Sequence, residues 1–347
     1  MKIFECGNCS HTLFFENLRC EKCGHLTGYS NTTATMLTFE PNTYSLISDR
    51  NGQEFNYCLN KEFGVCNWLL PAENESEFCP ACELNRTIPD LSDDENFQKW
   101  QKLEVAKHRL VYQLLALGLA IPPQETNPEI GLCFDFISKQ GNTKIMTGHA
   151  HGVITILLSE ADSVHREQMR KQLSEPYRTL IGHFRHEVGH YFWDRLVATN
   201  QGVLSDFRVL FGDEQVEYGA SLKTYYQNGA PANWQDAFIS QYATSHPWED
   251  WAETWAHYLH IMDMTETAYY FGISVQPILN GDNMAGSVDF DPYTISDFNT
   301  IYNSWAPISF AINSLNRSMG IPDAYPFVVS PAVVDKMKFI HRLIFNL

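Results

Sequence analysis

Apolar residues recur at helical spacing through the middle of this 347-residue chain. Phe97, Trp100, Leu103, Leu110, Leu114 and Leu117 share one helix face, and Ser92 stands three residues before Glu95 as a capping pair, so a long amphipathic helix is predicted from about residue 93 to 119. Gly118 and the Ile121-Pro122-Pro123 segment should end it. A second stripe, Leu180, Phe184, Val188 and Phe192, predicts another helix buried along one side, with Pro176 suited to its first turn. Pro247 can start a third, in which Trp248, Trp251 and Trp255 alternate with acids. Between the first two, Gly152 to Leu158 reads as a strand.

Charge narrows the functional classes. Lys plus Arg is 24 and Asp plus Glu is 41, a formal balance of −17, which repels a phosphate backbone and disfavours nucleic acid as a partner. The opening MKIFECGNCS has no apolar core of the export-signal kind, and the most apolar stretch, Val111 to Ile121, is too short to span a bilayer. A cytoplasmic protein without membrane association is expected. The nine cysteines agree, because without an export signal C-x-x-C spacing points to metal binding in a reducing compartment.

Cys6-x-x-Cys9 and Cys20-x-x-Cys23 form a zinc-ribbon pattern, with Ser10 and Gly24 following the two pairs. Each pair supplies two thiolates, and together they close a tetrahedral shell with no position for water, so this zinc should be structural. Cys58, Cys66, Cys79 and Cys82 form a less regular quartet and a candidate second structural zinc site. The alternative is that Cys58 and Cys66 are small buried residues. Cys133 is assigned to core packing, and His11 and His25 to the surface. A boundary near residue 90 separates this module, 1–90, from the remainder, 91–347.

His186-Glu187-Val188-Gly189-His190 matches H-E-x-x-H, whose spacing puts two imidazoles on one helix face, one turn apart, toward a single metal. A catalytic zinc needs a third protein ligand and one open position. The segment His246 to Tyr258 offers His246, Glu249, Asp250 and His257 as candidates. Glu249 is preferred because Glu253, one turn later on the same face, can accept the free N–H of a ligand histidine and fix its tautomer. A solvated acidic face would not carry three interleaved tryptophans. Tyr177, Tyr191 and Tyr218 are assigned to packing.

Glu-Asp-Trp-Ala-Glu at 249–253 resembles the second-helix pattern of gluzincin metallopeptidases. The resemblance implies Glu249 as zinc ligand, Glu253 as support for a histidine, and Tyr242, seven residues before the ligand, as donor to the oxyanion. It also implies that a strand such as 152–158 can lie along the cleft and pair with an extended peptide, with a buried core strand as the equal alternative. The strings CNWLL, RTIPDLS, EPYRTLIGHFRHEVGHYFW and HPWEDWAETWAHYLH resemble a bacterial family of zinc-binding metallopeptidases with an N-terminal zinc ribbon.

The resulting expectation is an α+β, zincin-like metallopeptidase domain behind a zinc-ribbon module, with one catalytic and one or two structural zinc ions. Zinc would acidify a water, Glu187 would take its proton as general base, and the nucleophile would attack a peptide carbonyl polarised by the same ion. Substrate would be a peptide or protein, and the ribbon would serve as a protein contact or restrict the cleft. An isopeptidase or amidase acting on a non-standard amide, or an inactive zinc-ribbon interaction protein, are the competing readings.

Overall fold

The computed structural model describes residues 1–41, 46–47, 52–138, 146–172, 179–278 and 284–346. Pro176 and Tyr177 therefore lie outside the described residues. The chain forms two compact units, 1–146 with 155–161 and 147–154 with 162–347.

Strands dominate the first unit. β1 (Phe4–Glu5) and β2 (Thr12–Leu13) make a hairpin. β3 (Leu26–Ser30), β4 (Thr35–Phe39), β5 (Leu46–Ile47), β6 (Glu54–Tyr57) and β7 (Trp68–Pro71) form a sheet in the order β4-β3-β7-β6-β5, antiparallel except where β3 and β7 run parallel. β8 (Asn85–Thr87) leads to α1 (Asp94–Ala116) and then to β9 (Cys133–Ile137), which pairs parallel with β8. The division between the units falls inside the hairpin of β10 (Gly148–Ala150) and β11 (Val153–Leu157).

Helix α1 begins one residue later than its sequence pattern indicates, and its cap is Asp93 instead of Ser92. The Asp93 carboxylate accepts from the N–H groups of Glu95 and Asn96, whereas the Ser92 hydroxyl donates to Asp90. A charged acceptor at the positive end of the helix dipole outcompetes a hydroxyl. Gly118, at φ 70°, closes the far end in the left-handed conformation. The buried face of α1 meets an aromatic cluster in which Phe15, Tyr29, Trp68 and Tyr112 have neighbouring ring centroids 4.9 to 6.2 Å apart. The small sheet thus gains in α1 the apolar partner that its short strands lack.

Helices dominate the second unit: α2 (Ser163–Gln172), α3 (Leu180–Leu196), α4 (Gln201–Phe211), α5 (Tyr218–Asn228), α6 (Pro247–Phe271), α7 (Phe298–Ser318) and α8 (Pro331–Phe345), with the short pair β12 (Ser274–Val275) and β13 (Gly286–Ser287). Thr179 caps α3 by accepting from Gly182 N–H, and His246 caps α6 with Pro247 in its first turn. Among the described residues no helix is long and apolar enough to cross a membrane.

α3 and α6 pack closely because Gly189 has no side chain. A Cβ there would sit 3.1 Å from Ala252 Cα and 3.2 Å from the Trp255 side chain. Trp251 Nε1 donates to Gly189 O at 2.8 Å, and Phe192 stacks on Trp255 at 4.9 Å. Behind α6, buried Lys336 on α8 pairs with Asp250 at 2.6 Å and donates to Ala237 O. Replacing Gly189 by Ala is expected to lower stability by about 1–3 kcal/mol through overpacking, read by urea denaturation. An unchanged midpoint would show that the helices can separate freely.

Candidate active site and metal centres

In the first unit, the two C-x-x-C turns of the first quartet are built alike. Ser10 N–H donates to Cys6 O and Gly24 N–H to Cys20 O, both at 2.9 Å, and Ser10 and Gly24 share the left-handed conformation. Facing thiols lie 3.6 Å apart, Cys6 to Cys23 and Cys9 to Cys20. Two sulfurs each about 2.3 Å from one tetrahedral ion would be about 3.8 Å apart, so the spacing fits zinc. Cys58, Cys66, Cys79 and Cys82 also converge, all buried, with Cys66 and Cys79 3.7 Å apart. Cys133 stands apart, its buried thiol donating to Gln124 Oε1.

The second quartet has a neighbour with no sequence signal. His108, on the buried face of α1, brings Nε2 to 3.4 Å from Cys82 Sγ while Nδ1–H donates to Glu104 O at 2.7 Å. Burial opposes a charged imidazole there, but the Cys82 thiolate outweighs it and pushes the His108 pKa up. Hydrogen bonds from the Cys58, Cys66 and Cys79 thiols hold Cys82 well below the usual thiol range against the opposing effect of burial. Four cysteine side chains and an imidazole thus converge in one buried place.

In the second unit, α3 and α6 bring His186, His190 and Glu249 together. Glu249 Oε2 lies 3.1 Å from His186 Nε2 and 3.6 Å from His190 Nε2. Ligands about 2.0–2.1 Å from one tetrahedral ion would be about 3.3 Å apart. His186 Nδ1–H donates to Glu253 Oε1 at 2.7 Å, which turns Nε2 toward Glu249, and Ser240 Oγ donates to Glu253 Oε2 at 2.6 Å. Burial disfavours charge on His186, yet the neighbouring carboxylates of Glu249 and Glu253 push its pKa well up. Burial likewise opposes the Glu253 carboxylate, but His186 holds it down at about 2. Two carboxylates thus favour positive charge at this point, and Glu249 Oε2, itself buried, has no hydrogen-bond donor. Two imidazoles and one carboxylate with such an orphaned oxygen fit a zinc ion.

The other candidates in the segment are engaged elsewhere. His246 Nδ1 accepts from Trp248 N–H and its Nε2 donates to Val216 O, both at 3.0 Å. Asp250 faces Lys336, and His257 Nδ1 is bonded to the Tyr325 hydroxyl at 2.8 Å. Glu187, next to His186, is 8% exposed. The Tyr242 ring lies 6.0 Å from that of His186, and burial and Glu249 push its phenol far above the usual range.

Tyr218 packs through its ring, as expected, but it also has a polar partner at the site. Its hydroxyl donates to Glu249 Oε1 at 2.6 Å. Trp248 packs on His190 at 4.0 Å, and His149 on β10 stacks parallel to His190 at 6.3 Å. His149 Nε2 accepts from Gly152 N–H, and burial drives its pKa down to about 3. Tyr218 and His149 lie 31 and 41 residues from the ligands they approach, too far for any periodic signal.

Comparison with known proteins adds the family. A family described as "Putative zinc-binding metallo-peptidase" matches residues 96–343, and a zinc-ribbon domain matches residues 3–93. The chain belongs to this metallopeptidase family. Proteins described as uncharacterized in Mycobacterium tuberculosis and Mycobacterium bovis are 41% identical over 346 residues, covering 99% of this chain and 95% of theirs. No solved structure matches the chain. A mixed α and β metallopeptidase domain behind a zinc ribbon is therefore its architecture, and zinc binding follows from the family together with the cysteine quartets.

Because both nitrogens of His246 are occupied, His246→Ala is expected to cost about 0.5–2 kcal/mol as a lost cap and to leave the metal content unchanged. Denaturation and metal analysis check the two halves, and loss of an ion would make His246 a ligand.

Proposed function

We propose that this family member is a zinc-dependent peptide-bond hydrolase in which His186, His190 and Glu249 hold the ion and Glu187 is the general base. The observation that carries the reading is the buried Oε2 of Glu249, without a hydrogen-bond donor, facing two imidazole nitrogens, one of them oriented by the bond of its ring to Glu253. A buried carboxylate oxygen in that setting is costly unless a cation neutralises it. Zinc, when bound, supplies Lewis-acid polarisation of a carbonyl and makes a neighbouring water more acidic.

Each surrounding side chain has a task in that reaction. Glu253, steadied by Ser240, keeps the proton of His186 on Nδ1, so Nε2 remains a donor of its lone pair. Glu187 takes the proton from the attacking water and returns it to the leaving amine. Tyr242, whose phenol stays protonated through the working pH range, donates to the oxygen that gains charge. Strand β10 packs on α3 and has one strand neighbour among the described residues, and its other edge suits an extended peptide. That edge role moves from the 152–158 segment to β10, because β11 within that segment is flanked by strands on both sides.

Both cysteine quartets are closed thiolate shells and serve as structural zinc sites in this reading. Eight of nine cysteines kept reduced for metal favour the cytoplasm. Metal analysis should find three zinc ions per chain, one of them extracted readily by a chelator. Glu187→Gln should retain all three and lose about 10²- to 10⁴-fold in peptide hydrolysis. Undiminished hydrolysis by zinc-loaded Glu187→Gln, or a chain that holds zinc only in its cysteine sites, would overturn the proposal.

A further inference from the structure

Tyr218 begins α5, a helix with no buried residue, capped at Glu217. Its ring packs against His246 at 5.2 Å and Trp248 at 6.0 Å, and its hydroxyl reaches Glu249 Oε1 at 2.6 Å. The two oxygens of the Glu249 carboxylate are therefore in different environments. Oε2 faces His186 and His190 without a donor, while Oε1 is capped by a phenol.

That asymmetry matters for a metal with few positions. A carboxylate free to rotate can bind zinc through both oxygens, and with two histidines this fills the shell that hydrolysis needs open. A hydrogen bond to one oxygen withdraws its electron density and fixes the plane of the carboxylate. Resting on the zinc reading of this centre, we infer that Tyr218 is a positioning residue that restricts Glu249 to one-oxygen coordination and so preserves the open position. The phenol makes this bond from an exposed helix 31 residues upstream of Glu249, so the coordination mode depends on how α5 docks against α6.

Tyr218→Phe removes the hydroxyl and keeps the ring that packs on His246 and Trp248. In the full chain, with the cysteine sites left loaded with zinc and cobalt(II) placed in the labile site, the variant should show weaker, shifted d–d bands of higher coordination number. Its labile site should also bind zinc about 10- to 100-fold more weakly in chelator competition. A merely structural hydroxyl would alter unfolding but not the cobalt spectrum. Identical bands in Tyr218→Phe, whatever its zinc affinity, would overturn the inference. His186→Ala separates the two levels of failure. It should abolish the labile-site bands, and their persistence would show that the centre itself, and with it the role of Tyr218, is misassigned.

Discussion

The second unit depends on one close contact, the approach of α3 to α6 at Gly189. Only with the helices that near can a carboxylate from one meet two imidazoles from the other while a tryptophan N–H locks their register. The consequence runs outward in layers. Glu249 meets the histidines, Glu253 and Ser240 orient His186, and Tyr218 caps the oxygen of Glu249 that the histidines do not face. A shift of the helices by a fraction of an ångström would disturb all of these together, since each hydrogen bond is short and directional.

The buried charges around α6 belong to the same logic. Asp250 with Lys336, and Arg185 with Asp263, are ion pairs drawn largely out of water. Such pairs add little net stability, because desolvation offsets most of their attraction, but a wrong partner leaves a charge unpaired at high cost. They therefore act on register. Burial alone would push Asp250 toward neutrality, and its pKa reaches about 7 even with Lys336 beside it.

The first unit solves a different problem. Its strands are two to five residues long and enclose a modest core, so two cysteine quartets and one long helix carry much of its organisation. The family matches divide near residue 93 to 96, yet α1, which begins at Asp94, contributes Tyr112 to the aromatic cluster and His108 to the second quartet. A helix outside the ribbon match thus places an imidazole beside the second cysteine quartet.

Local patterns determined a good deal of this. The i, i+4 spacing of His186 and His190, the C-x-x-C turns followed by Ser10 and Gly24, and the helices carrying Trp100, Val188 and Trp251 are short-range features whose periodicity follows from backbone geometry. The cap of α1 was legible to within one residue, since neighbouring Ser92 and Asp93 compete for the same N–H groups. Four residues of the 246–257 segment could have met the histidines, and only the packing of α6 turned Glu249 toward them while His246 became a cap and Asp250 met Lys336. Tyr218, Ser240, His149 and His108 were invisible for a related reason. Each reaches its partner from a separate element, and contacts between separate elements are set by which surfaces exclude water together, a property of the folded whole that no local spacing encodes.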